Sequence, residues 1–256
     1  MSSQPTVVLL HGVGLDHSVW EGVAPLLAGP VDVVVPDLPG HGAGPRVPLD
    51  VDLAGLADLV VRDLPAGLLA AGADPVHLVG FSLGALVAQH LAIHRPELVA
   101  SLTSVSSVCR RTPQEAEAVA ARLATAERDV DASYAASVER WFAGSDVDAA
   151  AVGRTRSVLA ANDPDQFLAC YRVFATGDAA VADDLGRIDV PALAVTGAAD
   201  PGSTPEMTHR LAASIPGCRA VVVPEVRHML PLEAPGVLAE HVLELIGGTT
   251  RDRVRD

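Results

Sequence analysis

The pentapeptide Gly80-Phe81-Ser82-Leu83-Gly84 constrains this chain more than any other feature. An apolar run of β-forming residues, Val76-His77-Leu78-Val79, leads into it, and an Ala/Leu-rich helical pattern to His94 leaves it. A serine held between a strand and a helix in Gly-x-Ser-x-Gly is the sequence of a sharp elbow that exposes its hydroxyl. The two glycines let backbone approach backbone, because no Cβ stands between strand and helix. The Leu83 N–H, at the start of that helix, can face a developing oxyanion.

Short apolar runs alternate with helical patterns along the 256 residues, which predicts an α/β fold with a mostly parallel sheet flanked by helices. Strands are expected at Thr6–Leu10, Val31–Pro36, Val76–Gly80, Leu102–Ser106, Ala192–Thr196 and Ala220–Pro224. Helices are expected at Ser18–Leu27, Asp52–Ala71, Leu83–His94, Glu206–Ile215 and Pro235–Leu245, with Pro96 as a stop for the third. From residue 109 to 187 the strand pattern vanishes and Ala, Arg and acidic residues follow helical spacing. Thr112-Pro113-Gln114-Glu115 looks like a helix start, and Tyr134–Ala143 and Pro164–Ala175 suit helices. The expected organisation is a core of 1–108 and 188–248, a helical lid of 109–187 inserted into it, and a frayed, charged tail of 249–256.

A serine hydroxyl needs a base to take its proton, and the base needs a group to orient it. An acid and then a histidine should follow the serine in chain order. Val195-Thr196-Gly197-Ala198-Ala199-Asp200 is a strand that runs into a small-residue turn ending in a carboxylate. Val221-Val222-Val223-Pro224-Glu225-Val226-Arg227-His228 is the next strand with a histidine beyond it. Asp200 and His228 are therefore the candidate acid and base. His90, His94, His209 and His241 fall on helices and His41 follows a Pro-Gly turn. Asp37 precedes the serine, and Glu225 is too close to His228 in sequence to be the first choice. Near the N-terminus, Leu9-Leu10-His11-Gly12-Val13-Gly14 ends a strand in a flexible turn, so the Val13 N–H can join Leu83 as a second oxyanion donor. His11 reads as a brace of that loop, and Asp16 with His17 as a cap on the helix of Trp20, with a substrate contact as the alternative for Asp16.

Composition removes whole classes of function. A net charge of −14 is wrong for nucleic acid or an anionic membrane. The chain has no lysine, which excludes Schiff-base and P-loop chemistry. Cys109, Cys170 and Cys218 are odd in number and far apart, so neither a disulfide framework nor a metal set is expected. With no basic-then-apolar leader and no apolar stretch long enough to span a bilayer, a cytoplasmic location is expected. No metal or cofactor is needed by a serine, histidine and carboxylate. The partner is a small-molecule substrate, and one of Arg110, Arg111, Arg140 and Arg172 is a candidate clamp for a substrate carboxylate.

These pieces in order, His11-Gly12-Val13-Gly14, Asp37-Leu38-Pro39-Gly40-His41-Gly42, the elbow, Gly197-Ala198-Ala199-Asp200 and His228, resemble the α/β-hydrolase superfamily over nearly the whole chain. Within it, Glu139-Arg140-Trp141-Phe142 and the stretch Asp163–Asp178 are similar to the lid of 3-oxoadipate enol-lactonases. That family usually has Asn-Ser-Leu-Gly at positions 11–14, and a methionine and two glycines around Leu83-Gly84-Ala85, where this chain departs from it. The resemblance implies an α/β-hydrolase fold, a lactone or ester substrate, and Trp141 on the pocket wall. C–C bond hydrolysis, amide hydrolysis, cofactor-free perhydrolysis and a non-enzymatic receptor role are alternatives on the same residues.

Overall fold

The computed structural model describes residues 4–65, 68 and 73–253. Six strands, β1 (Thr6–Leu10), β2 (Asp32–Val34), β3 (Val76–Phe81), β4 (Val99–Val105), β5 (Ala192–Gly197) and β6 (Arg219–Val223), form one sheet in the order β2-β1-β3-β4-β5-β6. Every pairing is parallel. The central strands β3, β4 and β5 are buried at every residue. Helices on both faces demand this, and it explains why these strands read as continuous apolar runs rather than alternating ones.

The helices are α1 (Ala24–Leu27), α2 (Leu53–Asp63), α3 (Leu83–His94), α4 (Pro113–Arg128), α5 (Val130–Phe142), α6 (Ala149–Ala161), α7 (Pro164–Val181), α8 (Pro205–Ser214), α9 (Leu230–Glu233) and α10 (Pro235–Arg253). The α4–α7 insert falls between β4 and β5, as the change of pattern at residue 109 predicts. Its start is a capping box. Thr112 Oγ1 accepts from the Glu115 N–H, and Glu115 Oε2 accepts from the Thr112 N–H at 2.7 Å.

Several boundaries differ from expectation for local reasons. The single helix expected at Ser18–Leu27 is a 3-10 turn, His17–Trp20, followed by α1. Pro25 lacks the N–H that would carry a helix through, and Gly22 sits against Pro235. The 3-10 turn is capped by Asp16, whose carboxylate accepts from Ser18 N–H at 3.0 Å. Helix α2 stops at Asp63 because Pro65 drives Leu64 into the extended region. The expected continuation over 66, 67 and 69–71 lies outside the described residues. Helix α6 was not expected. Helix α10 runs to Arg253, past both the Leu245 end and the 249 boundary of the expected tail, because Ile246 and Thr249 are buried. Residues 254–256 lie outside the described residues.

The chain steps from β1 outward to β2 and then back across β1 to β3, so strand order reverses between β1 and β3. In open α/β sheets a ligand sits beyond the carboxyl ends of strands at such a point. The loops after β1, β3, β5 and β6 carry Val13, Ser82, Asp200 and His228, and all four line one cavity there.

Candidate active site

Ser82 alone separates β3 from α3, at φ +54° and ψ −109°. A positive φ is strained for any side chain but glycine, and costs about 1–3 kcal/mol that the surroundings must impose. They do so through the backbone. Ser82 N–H donates to Val105 O at 2.9 Å, and Gly84 N–H to His11 O at 3.1 Å. A Cβ on Gly80 would lie 2.2 Å from Gly84 O, and one on Gly84 2.3 Å from Leu10 O. Both glycines are needed because strand meets helix backbone to backbone.

The donors next to Ser82 are equally fixed. Among the described residues, the N–H groups of Val13 and Leu83 donate to no acceptor. The His11 ring braces the first of them. Its Nε2 accepts from Leu38 N–H at 2.8 Å, so Nδ1 carries the proton that is donated to Gly12 O at 2.8 Å. Burial pushes His11 down to about 4, which keeps that neutral tautomer. From the lid side, Asn162 Nδ2 donates to Gly14 O at 2.9 Å.

Asp200 is 3 % exposed and fully partnered. Its Oδ1 accepts from the N–H groups of Gly202 and Ser203, each at 2.9 Å. Its Oδ2 accepts from Thr196 Oγ1 at 3.3 Å and meets His228 Nδ1 at 2.7 Å. Burial raises its pKa, but the His228 ring and those backbone donors outweigh burial and hold it below the ordinary carboxylate range. The His228 loop lies directly on the end of β5, since a Cβ on Gly197 would come 2.2 Å from Val226 O. Behind it, Ser106 Oγ donates to His228 O at 3.2 Å. Asp200 thus orients Nδ1 and leaves Nε2 for the cavity that Ser82 shares.

The rival groups are occupied elsewhere. His41 packs on His11 with ring centroids 5.2 Å apart, and His90 on His94 at 4.3 Å. His77 lies within β3 against Ser101. Asp37 accepts from His17 and Ala43 N–H groups, and Glu225 is exposed.

The lid roofs the cavity. Trp141 stacks on His228, with centroids 5.8 Å apart and planes at 22°. Arg140 lies over Trp141 at 5.9 Å. Leu159, Phe167, Tyr171 and Phe174 supply the apolar wall. Of the four arginines considered from sequence, Arg140 alone lines the cavity. Arg111 is buried in an ion pair with Asp178, Arg172 pairs with Glu127 at 2.9 Å, and Arg110 donates to Ala182 O at 2.6 Å.

A second cavity arginine, Arg122 on α4, escaped the sequence reading. Val119 and Ala126 of α4 are buried, and Arg122 falls on their face at helical spacing. A charge on an apolar stripe was the available signal. Burial and the neighbouring charge of Arg122 push the Arg140 guanidinium below its ordinary range. Among the described residues neither arginine is in an ion pair, so two like charges face a cavity whose one carboxylate, Asp200, is taken up by His228 and backbone donors. Among those residues no cluster of three or more His, Cys, Asp or Glu forms a metal set, and no helix is long and apolar enough to cross a membrane.

A parallel sheet with a strained serine elbow, an ordered acid and histidine, and an inserted helical cap defines an α/β-fold hydrolase. The chain belongs to the alpha/beta hydrolase family, whose model matches residues 7–241. It is 32% identical over 229 residues to the (E)-2-((N-methylformamido)methylene)succinate hydrolase of Acinetobacter baylyi, covering 90% of this chain and 85% of that one. It is 31% identical over 251 residues to the pimeloyl-[acyl-carrier protein] methyl ester esterase of Aeromonas salmonicida, covering 95% and 96%. Among solved structures, a hydrolase from Pseudomonas aeruginosa superposes with a TM-score of 0.81 at 26% identity, covering 96% of this chain and 91% of that one. The enol-lactonase of Burkholderia xenovorans superposes with a TM-score of 0.83 at 21% identity, covering 96% and 92%, a likeness of fold.

Proposed function

We propose that this hydrolase cleaves a small carboxylic ester or lactone that itself bears a carboxylate, through an acyl-enzyme on Ser82. The observation that carries the reading is one cavity lined by Ser82, His228, Asp200, Val13, Arg122 and Arg140. Ser82 Oγ attacks the carbonyl as His228 Nε2 takes its proton, and Asp200 stabilises the imidazolium. The tetrahedral oxyanion rests on the Val13 and Leu83 N–H groups, each worth about 10²–10³ in rate. His228 then gives the proton to the leaving oxygen, and the acyl-serine forms. A water deprotonated by His228 splits that ester, and Ser82 recovers its proton. Arg122 and Arg140 hold the substrate carboxylate as charge-assisted donors in a partly dry site.

A second reading is hydrolysis of a dicarboxylate carrying an amide nitrogen. The similarity to the Acinetobacter baylyi enzyme favours it, because the compound in that enzyme's name is a succinate with an amide substituent. Two cavity arginines suit two carboxylates.

The test is a panel of p-nitrophenyl esters, enol-lactones and amides, each with and without a terminal carboxylate. Ser82→Ala should lose about 10⁴–10⁶ of kcat on the substrate that is cleaved. A fluorophosphonate should leave its adduct on Ser82. Arg122→Ala and Arg140→Ala should raise KM for carboxylated esters about tenfold or more and leave neutral ones near parental values. Near-normal turnover by Ser82→Ala overturns the mechanism. Turnover of amides above esters moves the assignment to the second reading.

A further inference from the structure

We propose that Arg227 is a positioning residue. It ties the cavity end of lid helix α5 to the histidine loop, and thereby sets the seat of Arg140 and the stack of Trp141 on His228. Its kinetic arm rests on the hydrolase reading above, and its spectroscopic arm does not.

Arg227 immediately precedes His228, and its own backbone is held by the core. Its N–H donates to Glu233 Oε2 at 2.9 Å. A Cβ on Gly197 would come 2.3 Å from Arg227 O, so the peptide lies against the end of β5. On one side, Val226 O accepts from Ala199 N–H at 2.9 Å. On the other, His228 O accepts from Ser106 Oγ. From this fixed base the guanidinium crosses to the lid and donates through Nη2 to Arg140 O at 3.1 Å.

The acceptor is well chosen for a cation. Arg140 lies in the last turn of α5, where carbonyls lack intrahelical donors and the helix dipole is negative. Among the described residues this is the hydrogen bond that joins α5 to the core. Helix α7, by contrast, has its own ties. Gln166 Nε2 donates to Val47 O at 3.2 Å, and its Oε1 accepts from Val47 N–H at 2.7 Å. The same peptide that receives Arg227 therefore carries the cavity arginine on one side and the indole over His228 on the other. A merely solvated arginine at 227 would leave both untouched when removed.

The experiment compares the full chain with Arg227→Ala and Arg227→Lys. Trp20 is completely buried and Trp141 is at the cavity, so acrylamide quenching of tryptophan fluorescence reports Trp141. Quenching should rise about twofold or more in Arg227→Ala as α5 opens locally, and stay near parental in Arg227→Lys, whose ammonium keeps a donor. With p-nitrophenyl hemisuccinate, Arg227→Ala should raise KM about tenfold, while KM for neutral p-nitrophenyl butyrate stays within about twofold. Parental quenching and parental KM for both esters in Arg227→Ala overturn the proposal. So does a loss in Arg227→Lys equal to that in Arg227→Ala. If the parent turns over no ester, the ester reading fails on its own, and the quenching comparison still decides the tether.

Discussion

His11 and His41 form a buried pair whose charge state links the loop presenting Val13 to pH. Burial pushes His11 down to about 4 and His41 down to about 3, the latter also through the charge of His11. In the unfolded chain each binds a proton below about 6.5. Folding at mildly acidic pH must therefore expel protons, and stability falls as pH drops from about 6.5 toward 4. At pH 5 the two rings together remove about 4 kcal/mol relative to pH 7. Asp200 has the opposite sign. Its depressed pKa stabilises the fold above the ordinary carboxylate range, and that contribution is lost only below it, so pH 5 and pH 7 feel it alike. His17, raised by its hydrogen bond to Asp37, loses its stabilisation as pH rises, but its side chain is 57% exposed and solvent screens it. Urea midpoints at the two pH values should differ by about 1–2 M, lower at pH 5. Equal midpoints would show that the rings are not held neutral. In the folded protein His11 takes up a proton only near pH 4, and there it loses the acceptor for Leu38 N–H, so the loop presenting Val13 is released only at the acid end of that range.

At the scale of the element, the strand–elbow–helix unit shows why glycine means opposite things in one chain. Gly84→Ala puts a Cβ 2.3 Å from the carbonyl oxygen of Leu10, and backbone cannot yield as a side chain does. It should destabilise the fold by about 3 kcal/mol or more and abolish whatever turnover Ser82 supports. Gly153→Ala, in α6 with nothing within 4 Å, should stabilise by about 0.5–1 kcal/mol through helix propensity. Thermal or urea unfolding of the two variants checks both signs. The elbow was legible because its steric rule is local and spans five residues. Asp200 and His228 were legible for a related reason: each sits at the end of an apolar run, and chain order alone ranks them after Ser82. The lid resisted the same treatment. Helix α6 is Ala-rich and buries only Thr155 and Leu159, which leaves little periodic signal. Arg122 and Arg140 are 18 residues apart on different helices, and their meeting depends on how α4 packs against α5. Arg227 reaches its partner across 87 residues of sequence, a separation at which no spacing rule operates.

For the whole molecule, the cavity volume sets the order of events. The space above Ser82 is about 40 Å³. That holds a water or so, whereas pockets for organic ligands run to about 300 Å³ and more. The site as it stands is therefore too narrow for an organic substrate, which needs part of the lid to move. The lid helices are unequally attached. Helix α7 is anchored to the core at Val47 by Gln166 and at Pro39 by the Cys170 thiol, and Gly177 packs on Leu86 of α3. Helix α5 packs on α4 and α6 and is tied to the core through Arg227, and solvent-open clefts run between α6 and the loop around Gly22 and Pro231 and between α6 and the end of α5. Opening of α5 and α6 would lift Trp141 from His228 and withdraw Arg140, and Asn162, which caps α6 and donates to Gly14 O, would pass that opening to the loop presenting Val13. Closing would reverse this and exclude water from around Ser82, His228 and the two arginines, where charges act most strongly. Local opening of this kind appears in hydrogen exchange. Backbone amides of 130–161 should exchange at least about tenfold faster than those of 164–181, and α3 should be slower than either. Equal protection across α5, α6 and α7 would remove the α5–α6 pair as the moving part and require the insert to open as one body.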